Sequence, residues 1–416
     1  MILRARTLLP MTGARPIDNG AVVVKGSRIR AAGTLPEIAA HYTGSVMDLG
    51  EQVLMPGLIN AHCHLDYTML RRAISPPHGF TAWVQRINAL KRSLQDDDYL
   101  QAIRLGFAEL VKWGTTTVLN IESFPELMSR IPAPPIRTWW FYEMIDIRQR
   151  ITTEDLLEGA GIFFRKHADW IGGFGLSPHA PYTASPGLYK LANACARQDG
   201  MLLTTHLAES AEEAAMFQHG SGPLYDFMKS LGRDMSDCGG GSPLQALLSR
   251  GLVGPEWIIA HMNELMETDF DLLEKTPLHI VHCPASHHYF KHGPFPMDRL
   301  RAIGINISLG TDSLASSDSL SLFDEMRHVC DNYPSVSPLE ALEMATVNPA
   351  AALRRSRELG CIAVKSRADL IALPIAPDVE NLYEEIVGHR RPVDWVMVNG
   401  QILPRGESGY GAGSRF

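Results

Sequence analysis

From Leu54 to Gly360 the chain repeats one pattern: a short β-rich run, then a segment long enough for a helix. The runs are VLMPGLINAH, TTTVLNI, RTWWFYEMI, IGGFGLSPH, MLLTTHLAE, EWIIAHMNE, LHIVHCPAS and INISLGTDS, eight in all. Eight alternating units predict an α/β chain folded as a (β/α)8 TIM-type barrel. Helix signals lie between the runs. Ser185 followed by Pro186 reads as an N-cap with proline at the first helical position. An open doubly wound sheet is the competing architecture, but no glycine-rich phosphate fingerprint follows the first run.

The two chain ends read differently. AVVVKGSRIRAAG has two β-rich stretches around a Lys-Gly-Ser turn, a hairpin signal. ADLIALP and VDWVMVNGQIL are also strand-like, the second with an Asn-Gly turn. These ends predict one small β-sandwich domain built from residues 1–54 and 365–416, around a barrel over 55–364. The last residues, GESGYGAGSRF, are expected to fray. The length of 416 residues accommodates both parts.

Composition narrows the function class. The formal net charge of −8 argues against a nucleic-acid or anionic-membrane surface. No apolar run approaches the roughly 18 residues that span a bilayer. The six cysteines are scattered without a CxxC pair, which suits a reducing cytoplasm. The expected partner is a small-molecule substrate.

Barrel chemistry collects where strands end. The first run ends in His62-Cys63-His64 and the fourth in His179. The fifth ends in His206, with Glu209 three residues on. The sixth ends in His261, the seventh in His282 and the eighth in Asp312. Each residue has a plain structural reading: a hydrogen-bonded core histidine, or for Asp312 a helix cap. Together they are harder to explain that way, because ionisable groups ending apolar strands cost desolvation unless paired or metal-bound. Residues i and i+2 of a strand share a face, so His62 and His64 can converge on one ion, with Cys63 turned away. Imidazole and carboxylate both suit Zn²⁺.

VLMPGLINAHCH, SPHAPYT, THLAES, HCPAS and LGTDS together resemble the signature segments of the amidohydrolase superfamily, in its deaminase and chlorohydrolase branch. The resemblance covers essentially the whole chain. It implies one divalent metal held by His62, His64, His206 and Asp312, with zinc preferred and Fe²⁺ or Mn²⁺ also suited. It implies that Glu209 shuttles protons, that His261 helps activate the hydrolytic water, and that His179 faces the substrate. Asp312 would also accept a proton from that water. Binuclear relatives carry a Lys or Glu at the end of strand four. GLSPHAPYT has neither, which implies a mononuclear site. Homodimers are common among such proteins. Metal-free scaffold relatives also exist, but every expected ligand is present here.

The resemblance implies hydrolytic deamination of an aminopurine-type nucleoside or related amino-heterocycle. HCHLDYTMLRRAI is similar to the HxHLE(F/Y)(S/T)xLRG form of aminodeoxyfutalosine deaminases of menaquinone biosynthesis, with Asp66 in place of Glu and Arg72 in place of Gly. The S-adenosylhomocysteine/methylthioadenosine type carries a ribose-binding glutamate after the tryptophan that follows strand one. Here Trp83 is followed by VQRINALKRSL, which has no acid. The superfamily resemblance extends equally to guanine-type deaminases and to chlorohydrolases or amide hydrolases. Tyr67, His78, Phe80 and Trp83 are candidate substrate contacts in the loop after strand one, although Phe80 and Trp83 serve equally well as packing. His282, Ser286, His287 and Glu143 are further candidates.

Overall fold

The computed structural model describes residues 1–416 apart from 76–77, 148–151, 377–379 and 405–416. The expected fraying of GESGYGAGSRF lies outside the described residues. Five strands come first: β1 (Ile2–Leu8), β2 (Ile17–Lys25), β3 (Arg28–Thr34), β4 (Val46–Asp48) and β5 (Gln52–Pro56). The β2–β3 hairpin closes on a Lys25–Arg28 pair around Gly26, whose φ of +59° glycine adopts without strain.

Eight parallel strands follow, and all eight β-rich runs are among them. They are β6 (Leu58–Cys63), β7 (Thr115–Glu122), β8 (Arg137–Met144), β9 (Gly172–Pro178), β10 (Leu202–Leu207), β11 (Trp257–His261), β12 (His279–His282) and β13 (Asn306–Leu309). Each pairs with the next in order, and a parallel bridge from Cys63 to Asp312 nearly closes the barrel. Ile59, Ala61, Leu119, Phe141, Ile258 and Val281 fill its interior. Their neighbours on the other face, such as Leu58, Trp140, Leu203, Ile259 and Ile280, pack under the helical layer. With both faces buried, each such side chain contributes roughly 1.5–3 kcal/mol. Ser185 does cap the helix Pro186–Asp199, accepting from the Leu188 N–H, and left-handed Gly200 ends it.

The chain returns to the first sheet through β14 (Leu370–Pro374), β15 (Trp395–Val398) and β16 (Gln401–Ile402). Asn399 and Gly400, both at positive φ, turn β15 into β16. The two chain ends form one eight-stranded mixed sheet in the order β16-β15-β14-β5-β1-β2-β3, with β4 on β1. VLMPGLINAH therefore serves two sheets. It pairs with β14 up to Pro56 and enters the barrel at Leu58. A buried ion pair ties the sheets together: Arg137 Nε, in β8, lies 2.8 Å from Asp369 Oδ2. Among the described residues no helix is long and apolar enough to cross a membrane.

Candidate active site

The ends of β6, β10, β11 and β13 meet at one buried point. In β6, Ile59 and Ala61 face the barrel interior, and simple alternation would then turn His62 outward. A register shift against β7 between Asn60 and Cys63 resets the alternation, so His62 and His64 face in. Cys63 faces the outer layer, as the i, i+2 spacing predicts. His206 stays in phase with Leu202 along β10.

The ligand atoms of His62, His64 and His206 all lie within 4.8 Å of one another. His64 Nε2 and His206 Nε2 are 3.2 Å apart. Two nitrogens sharing a tetrahedral ion at about 2.0–2.1 Å lie about 3.3 Å apart, so the spacing fits. His62 Nε2 is buried with no hydrogen-bond partner, as expected of an atom reserved for an ion. His206 Nδ1 lies 2.9 Å from the His179 carbonyl, and donating there leaves Nε2 bare. Burial pushes His62 down to about 3 and His206 to about 4, so both rings are neutral near pH 7.

Asp312 completes the group. Its Oδ1 is 3.7 Å from His62 Nε2 and 4.0 Å from His64 Nε2. Its Oδ2 accepts from Ser286 Oγ at 2.6 Å and from Ser316 Oγ at 3.0 Å. The serines thus fix the carboxylate and leave Oδ1 toward the histidines. The Thr311 and Asp312 amides both donate to the His62 carbonyl at 3.1 Å, which locks this turn onto β6. Three histidines and this carboxylate can hold one divalent metal ion.

Glu209 and His261 sit beside that group, with Glu209 Oε2 3.8 Å from His261 Nε2. Burial, then the nearby Asp312 and Glu213, hold the Glu209 carboxyl well above the usual carboxylate range. Its backbone is pinned: Glu213 Oε2 accepts from the Glu209 N–H at 2.8 Å, and Asn263 Nδ2 donates to the Glu209 carbonyl at 2.9 Å. Glu143 and His179 share a second group with His206, their ligand atoms also within 4.8 Å of one another. The Tyr67 ring stacks parallel to His64 with centroids 5.6 Å apart. Trp83 packs edge-on against Phe290 at 5.0 Å.

His282 is not brought to this group. It shares the outward face of β12 with Ile280, and its ring stacks on Phe295 at 4.0 Å. That placement departs from the substrate-contact expectation, because the residue ends its strand on the wrong side of the alternation. Two acids at the site carry no strand-end signal. Asp66 is wholly buried with neither carboxylate oxygen hydrogen-bonded. Burial raises it to about 7, while the Lys91 charge opposes the rise. Glu213 holds the turn before it, and its signal was an acid four residues after Glu209 in HLAESAEE.

Residues 53–403 match the model of the amidohydrolase family. The chain belongs to that family. This amidohydrolase is 30% identical over 385 residues to the 5-methylthioadenosine/S-adenosylhomocysteine deaminase of Syntrophobacter fumaroxidans, covering 86% of this chain and 81% of that one. Its fold matches a Helicobacter pylori aminofutalosine deaminase in complex with methylthio-coformycin, with a TM-score of 0.86, 20% identity, and coverage of 97% and 100%. It also matches an adenosine deaminase from Xanthomonas campestris with bound zinc, with a TM-score of 0.83, 23% identity, and coverage of 96% and 92%. Family and relatives make this amidohydrolase a hydrolase of carbon–nitrogen bonds, and a deaminase of the superfamily.

Proposed function

We propose that this amidohydrolase is a zinc-dependent deaminase of an aminopurine-type nucleoside, with aminodeoxyfutalosine as the first candidate. The observation that carries the reading is Glu209: a buried carboxyl, biased toward its protonated form, 3.8 Å from His261 and beside the metal ligands without being one. Amide or halide hydrolysis has less need of an acid aimed at a ring nitrogen. The segment HCHLDYT favours the aminodeoxyfutalosine type. The 30%-identical relative favours the methylthioadenosine/S-adenosylhomocysteine type as the second reading.

His62, His64, His206 and Asp312 would hold the ion, which when bound supplies the Lewis acidity that brings a water toward a pKa of about 7. Glu209 delivers its proton to the ring nitrogen next to the amino-bearing carbon, which makes that carbon electrophilic. Asp312 accepts a proton from the attacking water, and His261 orients that water. Glu209 then collects the hydroxyl proton of the substrate adduct and passes it to the amine, which leaves as ammonia. Return of the Asp312 proton to Glu209 resets the site. His179, Tyr67 and Glu143 line the substrate side. Proton transfers of this kind contribute about 10²–10⁴-fold. Ammonia release from a panel of aminopurine nucleosides tests the proposal on zinc-loaded protein. Turnover of none of them would sink it.

A further inference from the structure

The N-terminal end of the barrel, opposite the ligand group, carries a cavity of about 560 Å³. It lies where β8, β9 and β10 begin, beside the helix Thr153–Lys166 and the end of the helix Val347–Ala352. Glycines make the space. A Cβ on Gly172 would fall 1.9 Å from the Thr138 carbonyl oxygen, and one on Gly173 would fall 2.5 Å from Trp139 Nε1. The first two residues of β9 therefore carry no side chain that could fill it. Buried Trp139, Leu202 and Leu353 border the cavity, and all three belong to the core that fills the barrel interior. Half-buried Phe164 and Phe174 line it too, packed on each other with ring centroids 4.8 Å apart.

Three exposed arginines, Arg165, Arg354 and Arg355, surround this apolar lining. None of them forms an ion pair or a side-chain hydrogen bond with a described residue. Asp199 is the one acid lining the cavity, so three guanidiniums stand against one carboxylate. Arg354 also stands in a strained position. The Arg354 and Arg355 amides donate to the Ala351 and Ala350 carbonyls, both at 2.8 Å. This pair of bonds closes a helix around a left-handed residue that is usually glycine. Here it is Arg354, at φ +57°. The negative end of a helix favours a base anywhere near its last turn. It does not call for one at the left-handed position, where glycine alone is unstrained. A strained residue whose side chain borders a cavity points to a role for that side chain.

We infer that this cavity is a binding site for a small aromatic oxyanion, a planar ring bearing a phosphate or a carboxylate. Trp139, Phe164 and Phe174 supply the surface for the ring, and the guanidinium forks of the arginines match the oxyanion. The volume falls within the roughly 300–1,000 Å³ of small-molecule sites. In a chain of net charge −8, an anion is held where positive charge is concentrated, as it is here. The site is separate from the ligand group, and the inference stands independently of the deaminase reading.

Calorimetric titration of zinc-loaded protein tests it with uridine 5′-monophosphate, indole-3-carboxylate, uridine and inorganic phosphate. None of the four carries an exocyclic amine to lose. The expected result is saturable binding of one or both ring oxyanions, at least about tenfold tighter than uridine or inorganic phosphate. The two ring oxyanions tell phosphate from carboxylate. Arg354→Gly should weaken that binding about tenfold or more without lowering the Tm of the ligand-free protein, because glycine takes the left-handed position without strain. Arg165→Gln and Arg355→Gln should weaken it in the same direction. Arg197→Gln, exposed on the helix Pro186–Asp199 and outside the lining, should leave it unchanged. Absence of saturable binding by both ring oxyanions would overturn the inference. So would uridine or inorganic phosphate binding as tightly as they do, or affinities that stay the same in all three lining variants.

Discussion

Replacing Glu209 by Gln isolates proton transfer from everything else the site does. The residue is only 6% exposed, and Gln has its shape, so the surrounding packing has no cavity to collapse into. The contacts that pin this residue run through its backbone N–H and carbonyl to Glu213 and Asn263, and both survive the change. The metal group of His62, His64 and His206 does not include it. What is lost is a carboxyl that can give and take a proton 3.8 Å from His261. On the deaminase reading, kcat should fall by about 10²–10⁴-fold, or about 3–5 kcal/mol of transition-state stabilisation. Stability should move the other way. An acid whose folded pKa is raised binds its proton more tightly when folded, so its contribution is lost as pH rises above the unfolded value near 4.3. Metal-free Glu209→Gln should therefore gain in Tm over metal-free wild type as pH climbs from 4 to 8. The assays are steady-state ammonia release, metal content by atomic absorption, and thermal unfolding across that pH range. A variant with a full complement of metal and kcat within tenfold of wild type would refute the assigned role.

Three further outcomes follow from the geometry. Ser286→Ala removes the 2.6 Å hydrogen bond that orients Asp312, and should weaken metal binding about 10–100-fold in a chelator competition. Burial sets His62 near 3 and His206 near 4, so protons compete for these ligands only at low pH. Metal retention after dialysis should accordingly hold from pH 7 to about 5 and fall below that. Arg137→Ala leaves Asp369 buried and unpaired between the barrel and the mixed sheet, and should cost about 3–5 kcal/mol by denaturant unfolding.

The barrel was legible because each strand is a short apolar run and the ends of those runs carry ionisable residues. The i, i+2 spacing of His62 and His64 was legible for the same reason. The transition at Pro56-Gly57 was not. VLMPGLINAH is apolar throughout, and nothing in its composition separates β5 from β6. The constraint is steric: a Cβ on Gly57 would fall 2.1 Å from Thr116 Oγ1 where the chain crosses from one sheet to the other. His282 exposes a different gap. In a parallel barrel both strand faces are buried, so LHIVHC shows no polar alternation to say which side His282 takes.

The backbone at the strand ends divides the site into two classes of residue. The histidine ligands ride on near-regular geometry: His206 keeps the phase of β10, and His62 and His64 need only a bulge, whereas Asp312, past the end of β13, sits at φ +54°. Glu209 and His261, which are not ligands, depart from regular geometry too. Glu209 is an odd position after a strand whose inward residues are even, and His261 follows Ile258 and Ala260, which face in, so alternation would turn both outward. Each is redirected by a left-handed residue, Ala208 at φ +50° in one case and His261 itself at φ +74° in the other. Non-glycine residues at such angles cost roughly 1–2 kcal/mol each, and they persist where surrounding contacts over-determine them. Those contacts are present, because the Glu213 carboxylate holds the Ala208 and Glu209 amides and the Asn263 side chain holds the Glu209 carbonyl. The strain at Ala208 and His261 thus lies where Glu209 and His261 are made to face each other beside the ligand group. A site built only to bind an ion would need neither distortion, which is a structural reason, independent of any relative, to read this one as catalytic.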